Sequence, residues 1–128
     1  MSEKKKIRVL VVDDEVSIRE SLKGFLEDYE YDVVAVGTAE ESLAYISESE
    51  FSAAIIDLRL PRMNGETLIK RANQLRPEIR FIIHTGSIDY TLSKELISIG
   101  MSEEDVFYKP AHNLGLVVEG IKRILDKN

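Results

Sequence analysis

Apolar runs too short to be helices alternate along this chain with longer stretches in which apolar residues recur every three or four positions. The runs are Ile7 to Val12, interrupted only by Arg8, then Tyr31 to Val36, Ala53-Ala54-Ile55-Ile56, Phe81-Ile82-Ile83 and Val106-Phe107-Tyr108. Between and after them, Ile18, Leu22, Phe25, Leu26 and Tyr29 keep helical spacing, as do Ala39, Leu43 and Ile46. Leu68, Ala72 and Leu75 predict a third helix closed by Arg76-Pro77, and Leu92, Leu96 and Ile99 a fourth with Gly100 at its C-terminal cap. Leu114, Val117, Val118, Ile121 and Leu125 mark the last helix. Thr38 and Glu41 form a capping-box pattern at the start of the second helix. Strands apolar on both faces belong to a parallel sheet covered by helices on both sides. The prediction is therefore (βα)5, a doubly wound α/β fold with a five-stranded parallel sheet. It is one domain over residues 1–128 with a core from about residue 7 to 125, without repeat or linker.

The polar residues that end these strands point to chemistry. Asp13 and Asp14 follow the first run, Asp57 follows the third, Thr85 the fourth and Lys109 the fifth. Each alone has an ordinary reading as a helix cap, a turn residue or a surface charge. Together they collect where ligands bind in open α/β sheets, outside the carboxyl ends of the strands. Three converging carboxylates repel one another and raise their own pKa values. A hard divalent cation removes that repulsion, and Mg²⁺ binds through few carboxylates together with water and phosphate oxygens. The acids thus argue for Mg²⁺ and phosphate chemistry.

Composition narrows the classes. The chain has 128 residues, 44% hydrophobic and 31% charged, with a net charge of -6. That balance argues against a direct nucleic-acid surface. With no cysteine there is no disulfide framework and no thiolate metal site, which suits a cytoplasmic protein. The Met1-to-Lys6 segment starts like a signal-peptide n-region, but the apolar run behind it is too short for the next part, and a solvated tail is expected. No apolar stretch is long enough to span a membrane.

The ordered set Asp13-Asp14, Asp57, Thr85 and Lys109-Pro110 resembles the receiver domain of response regulators, the CheY-like fold. Asp57-Leu58-Arg59-Leu60-Pro61-Arg62-Met63-Asn64-Gly65 is similar to that family's D-x-x-x-P-x-[MD]-[DN]-G loop, and the likeness runs from about Ile7 to Leu125. The resemblance implies the flavodoxin-like strand order 2-1-3-4-5. It implies that Asp57 accepts a phosphoryl group as an aspartyl phosphate, and that Asp13, Asp14, Asp57 and the backbone carbonyl of Arg59 hold Mg²⁺. It implies that the Thr85 hydroxyl bonds a phosphoryl oxygen, that Lys109 pairs with the phosphate, and that Pro110 is cis. The implied donor is a sensor histidine kinase or a phosphotransfer protein. The implied recipient of the signal is a downstream protein or an effector domain outside this chain. The implied role is a phosphoacceptor switch rather than a turnover enzyme.

Three departures bear on output and lifetime. Val106 stands where the family carries an aromatic ring ahead of the lysine, with Tyr108 as a candidate substitute on the same face of the strand. The Gly100-to-Asp105 stretch is longer than the family's usual connection. Arg59 and Ser87 occupy the two positions that, in the family resembled, border the phosphoryl group. Other residues read more blandly: His84 as a satisfied core histidine, His112 as exposed, Asn64-Gly65 as a turn, and Glu15 as a surface acid or an outer contact to the metal. The competing functions are an Mg²⁺-dependent aspartyl-phosphate phosphatase, an FMN binder and a degenerate receiver that only binds partners. The first needs D-x-D after the first strand, where this chain has Asp13-Asp14-Glu15. The second needs hydroxyls and amides in the first loop. The third conflicts with intact Asp57, Thr85 and Lys109. Both a stand-alone regulator and a piece of a longer protein fit a sequence with no effector-like segment after Leu125.

Overall fold

A computed structural model describes residues 6–109 and 114–126. Five parallel strands, β1 (Arg8–Val12), β2 (Asp32–Val36), β3 (Ala53–Ile56), β4 (Arg80–Thr85) and β5 (Val106–Tyr108), lie in the order β2-β1-β3-β4-β5. Helices α1 (Val16–Asp28), α2 (Ala39–Glu48), α3 (Gly65–Leu75), α4 (Lys94–Ser98) and α5 (Leu114–Leu125) connect and follow them. This is the doubly wound, flavodoxin-like arrangement that the apolar pattern and the resemblance led one to expect.

Strand alternation sorts the core into two layers. Leu10, Val12, Ala54, Ile56, Phe81, Ile83 and Val106 face α2, α3 and α4 through Ile46, Leu68, Ile69, Ala72 and Leu96. Val9, Val11, Val33, Ala53, Ile55 and Ile82 face α1 and α5 through Leu22, Leu26, Val117, Val118 and Ile121. Every residue of β3 is buried, which is why its sequence carries no polar alternation.

The helix ends follow local chemistry. Thr38 accepts the Glu41 N–H at 3.1 Å, and the Glu41 carboxylate reaches the Gly37 N–H at 3.3 Å. That contact falls one residue before the cap, so only half of the capping box forms as predicted. The fourth helix is shorter than its apolar spacing suggested. Ser93 accepts the Leu96 N–H and starts the helix there, which leaves Leu92 buried in the preceding loop. At its other end Gly100, at φ 107°, donates to the Ile97 carbonyl while Met101 donates to that of Leu96. This is the Schellman motif expected of a glycine there.

α1 ends in the same hydrogen-bond pattern, with Glu30 N–H bonded to the Glu27 carbonyl and Tyr31 N–H to that of Leu26. Glu30, however, takes a left-handed φ of 68° that favours glycine. Glu30→Gly is therefore expected to raise the unfolding free energy by about 0.5–1 kcal/mol in urea titrations, with the relief of strain exceeding the added freedom of the unfolded chain. A lower midpoint at unchanged m-value would show that Glu30 makes up the strain elsewhere.

Candidate functional site

Sheet hydrogen bonding runs one residue past several strand ends and so aims the polar residues. The Asp13 N–H bonds the Val36 carbonyl at 3.1 Å, the Asp57 N–H that of Val12 at 2.9 Å, and the Lys109 N–H that of Thr85 at 2.7 Å. As a result Asp13, Asp14 and Asp57 each offer a carboxylate oxygen within 4.8 Å of the others. Asp13 and Asp57 are 2% and 4% exposed, whereas Asp14 is open to solvent.

Lys109 closes the cluster from the far strand. Its Nζ lies 2.9 Å from Asp13, 3.2 Å from Asp57 and 3.2 Å from Glu15. One cation thus answers three acids. Burial, and then the charge of Asp13, push the Asp57 carboxyl up to about 6, against the opposing pull of Lys109 and of the Arg59 N–H. Burial pulls Lys109 down, but the Asp13 hydrogen bond and the charges of Asp13 and Asp57 outweigh it and leave its pKa raised.

The surrounding loops hold these groups by their backbones. Asp57 Oδ1 accepts the Arg59 N–H at 3.2 Å, and Asp13 Oδ1 accepts the Glu15 N–H at 2.9 Å. The Arg59 side chain is exposed. Gly65 opens α3 beneath the Asp57 loop, where a Cβ would strike the Asp57 carbonyl oxygen and lie 2.9 Å from Leu58 Cα. Asn64 is a helix cap, accepting the Thr67 N–H at 2.9 Å, more than the turn residue it resembled in sequence. Thr85 is fully buried and its Oγ1 accepts the Ser87 N–H at 3.0 Å.

All five predicted strand-end residues border this one edge of the sheet, and Asp13, Asp14, Asp57 and Lys109 form one cluster. Glu15 is exposed, as its surface reading has it, and pairs with Lys109 at the rim of the cluster. Arg19 was missed: from the first turns of α1 it donates from Nη1 to the Asp13 carbonyl at 2.8 Å. Its only sequence signal is a cation on α1 shortly after the acids. His84 needs correction. It is buried as expected, but among the described residues neither ring nitrogen has a hydrogen-bond partner, so it is not the satisfied histidine expected. Burial, then the nearby Lys109 charge, lower its pKa. Pro110 and His112 lie outside the described residues.

Comparison with known proteins bears on the fold and the family. The family model for the response regulator receiver domain matches residues 9–119. A solved CheY-like receiver domain protein from Methanospirillum hungatei JF-1 is 34% identical, with a TM-score of 0.82 and 95% of each chain covered. The signal receiver domain of a LuxO repressor protein from Vibrio parahaemolyticus is 32% identical with a TM-score of 0.80, covering 94% of this chain and 91% of that one. The transcriptional regulatory protein AruR of Pseudomonas aeruginosa is 33% identical over 115 residues, 86% of this chain and 46% of the relative. This chain spans about half or less of the length of the first curated relatives it matches.

The raised Asp57 pKa has a consequence for stability. A carboxyl that holds its proton more tightly when folded costs stability above that pKa, and the cost vanishes below the unfolded value, where both states are protonated. In metal-free buffer at pH 7.5, Asp57→Asn is expected to raise the unfolding free energy by about 1–3 kcal/mol. The gain should disappear below about pH 4 in denaturant titrations. Destabilisation at pH 7.5 would mean that the Asp57–Lys109 pair outweighs the repulsion.

Proposed function

The chain belongs to the response regulator receiver domain family, and from that premise we propose that Asp57 is its phosphoacceptor and that Mg²⁺ is its cofactor. One observation carries the reading: the buried Asp57 carboxylate stands beside two further acids and 3.2 Å from the Lys109 ammonium. Phosphoryl transfer asks mainly for positioning and charge neutralisation, which this arrangement supplies. The deprotonated Asp57 oxygen attacks the phosphorus of a phosphohistidine, the P–N bond breaks, and the electron pair leaves with the imidazole. Lys109, already on Asp57, pairs with an incoming phosphoryl oxygen, and the buried Thr85 hydroxyl donates to another while still accepting the Ser87 N–H.

The donor set fits a hard cation. Two buried carboxylates and one exposed carboxylate are oxygen donors, and a single lysine leaves excess negative charge among them; the resemblance adds the Arg59 backbone carbonyl. Bound there, Mg²⁺ would neutralise the acids and the phosphoryl oxygens together.

The partners we propose are a sensor histidine kinase or phosphotransfer protein as donor, and a downstream protein or an effector domain as recipient. AruR, by its name a transcriptional regulator and longer than this chain, supports an effector elsewhere in the whole protein. The chain acts as a self-modifying switch rather than a turnover enzyme, and its setting is cytoplasmic. No helix among the described residues is long and apolar enough to cross a membrane, and no direct contact with nucleic acid is assigned to this domain.

Incubation with acetyl phosphate or beryllofluoride, with and without Mg²⁺, tests the assignment. Metal-dependent modification of the wild type and none of Asp57→Asn is expected; persistent modification of that variant would sink it. Asp14→Asn should mainly weaken Mg²⁺ binding. Lys109→Ala and Thr85→Ala should fold yet lose the phosphorylation-linked change, and resting Mg²⁺ affinity should rise in Lys109→Ala because the competing cation is gone. Loss of fold would make either residue structural. Arg59→Ala should shorten the aspartyl-phosphate lifetime by exposing the acyl phosphate to water, whereas equal dephosphorylation rates would leave that guanidinium in solvent.

A further inference from the structure

The loop between β4 and α4 is held by side chains rather than by a backbone ladder. Ile88, at its tip, is 77% exposed. Three contacts from other elements tie the loop down. The Tyr90 hydroxyl donates to Glu66 Oε2 in the first turn of α3 at 2.7 Å. The Tyr108 hydroxyl, from β5, donates to the Tyr90 carbonyl at 3.2 Å. Glu103, in the 3₁₀ turn at Glu103–Asp105, accepts the Leu92 N–H at 3.2 Å.

These bonds connect to Thr85 without a break. Thr85 Oγ1 accepts the Ser87 N–H at 3.0 Å, and the Ser87 carbonyl accepts the Tyr90 N–H at 3.2 Å. The Tyr90 carbonyl is in turn the acceptor of the Tyr108 hydroxyl. The chain of bonds runs from the phosphoryl-facing hydroxyl to the exposed edge of β5 and bypasses Val106, which is buried and has no ring to swing.

We propose that Tyr90 is the coupling residue of this switch: its bond to Glu66 latches the loop in the resting state, and its carbonyl passes the loop's movement to Tyr108. The inference rests on Asp57 being the phosphorylated residue. A hydroxyl–carboxylate bond is among the stronger kinds and is partly shielded here, because the Tyr90 ring packs against the buried layer that includes Leu92 and Leu96. In this proposal Ser87 and then Tyr90 follow when Thr85 shifts toward a phosphoryl oxygen, and the Tyr90–Glu66 bond is the contact given up. Breaking it in advance removes a contact that only the resting state makes, so the activated state becomes easier to reach.

The test uses amide-shift mapping with Mg²⁺ and a beryllofluoride titration on wild type, Tyr90→Phe, Glu66→Gln and Tyr108→Phe. Tyr90→Phe keeps the ring in the core and removes only the hydroxyl. It should raise apparent beryllofluoride affinity about three- to tenfold, the worth of one hydrogen bond lost from the resting state. Without ligand, its shifts for residues 86–92 should already lie part-way to the activated positions. Glu66→Gln should move the same way by less. Tyr108→Phe should leave the response of residues 86–92 intact and lose that of residues 106–108. Unchanged or weaker beryllofluoride binding by Tyr90→Phe, with resting shifts like the wild type's, overturns the latch. An intact response at residues 106–108 in Tyr108→Phe overturns the relay. Failure of the wild type itself to bind beryllofluoride overturns the Asp57 assignment and the inference built on it.

Discussion

Mutual repulsion among the carboxylates at the carboxyl edge of the sheet is the constraint around which this molecule is arranged. Asp13 and Asp57 cannot separate to relieve it, because each backbone amide is committed to the neighbouring strand, Asp13 to Val36 and Asp57 to Val12. The unfavourable arrangement is sustained by the apolar layers below, where β1 and β3 are almost wholly buried. Lys109 softens the repulsion with three ion pairs, yet burial first and the Asp13 charge second still hold the Asp57 pKa up at about 6. The edge is thus built to receive positive charge, and any group added to Asp57 must displace or share Lys109, the cation that pairs with these acids among the described residues.

That constraint was legible in the sequence because strand ends are. Short apolar runs that stop at Asp13, Asp57 and Lys109 locate both the sheet and its carboxyl edge, and the twofold alternation correctly placed Val106 and Phe107 on opposite layers. Features that depend on where a long side chain goes were not legible. Glu15 reaches Lys109 and Arg19 reaches the Asp13 carbonyl only once α1 has packed. His84 has the neighbours of a core residue, yet the absence of a partner for its ring nitrogens appears only in three dimensions. Periodicity overestimated α4 because Leu92 is buried for reasons of loop packing, and burial at helical spacing looks like a helix in one dimension. The left-handed residues Glu30 and Arg62 give no sign of themselves, since neither is glycine or asparagine.

The two faces of the sheet differ in how firmly they are held. α1 and α5 are long and amphipathic and lie on a continuous apolar layer. On the other face α4 is a five-residue helix, entered through a loop that depends on a few side-chain hydrogen bonds. Local opening falls where exposed hydrogen bonds are many, and the loop ahead of α4 rests on such bonds at its surface, while Leu92, Leu96 and Met101 anchor it in the apolar layer beneath.

The 3₁₀ turn between these regions is pinned more tightly than its exposure suggests. Asp105 is buried, and its carboxylate accepts both the Ser102 N–H and Arg123 Nη2 of α5 at 2.9 Å, while the same Arg123 nitrogen bonds the Glu104 carbonyl at 2.8 Å. Only the Asp105 side of this pair is buried, the Arg123 side chain being 31% exposed, so loss of Arg123 would leave a buried carboxylate short of its cation. The connection before β5 is therefore anchored rather than slack. Its Asp105 side is fixed to α5, and its Glu103 side meets the loop ahead of α4 through one partly exposed hydrogen bond. Toward α5 the turn is thus held by a charged bond to a buried carboxylate, and toward α4 by one partly buried hydrogen bond, so an equal pull on the two sides breaks the second first.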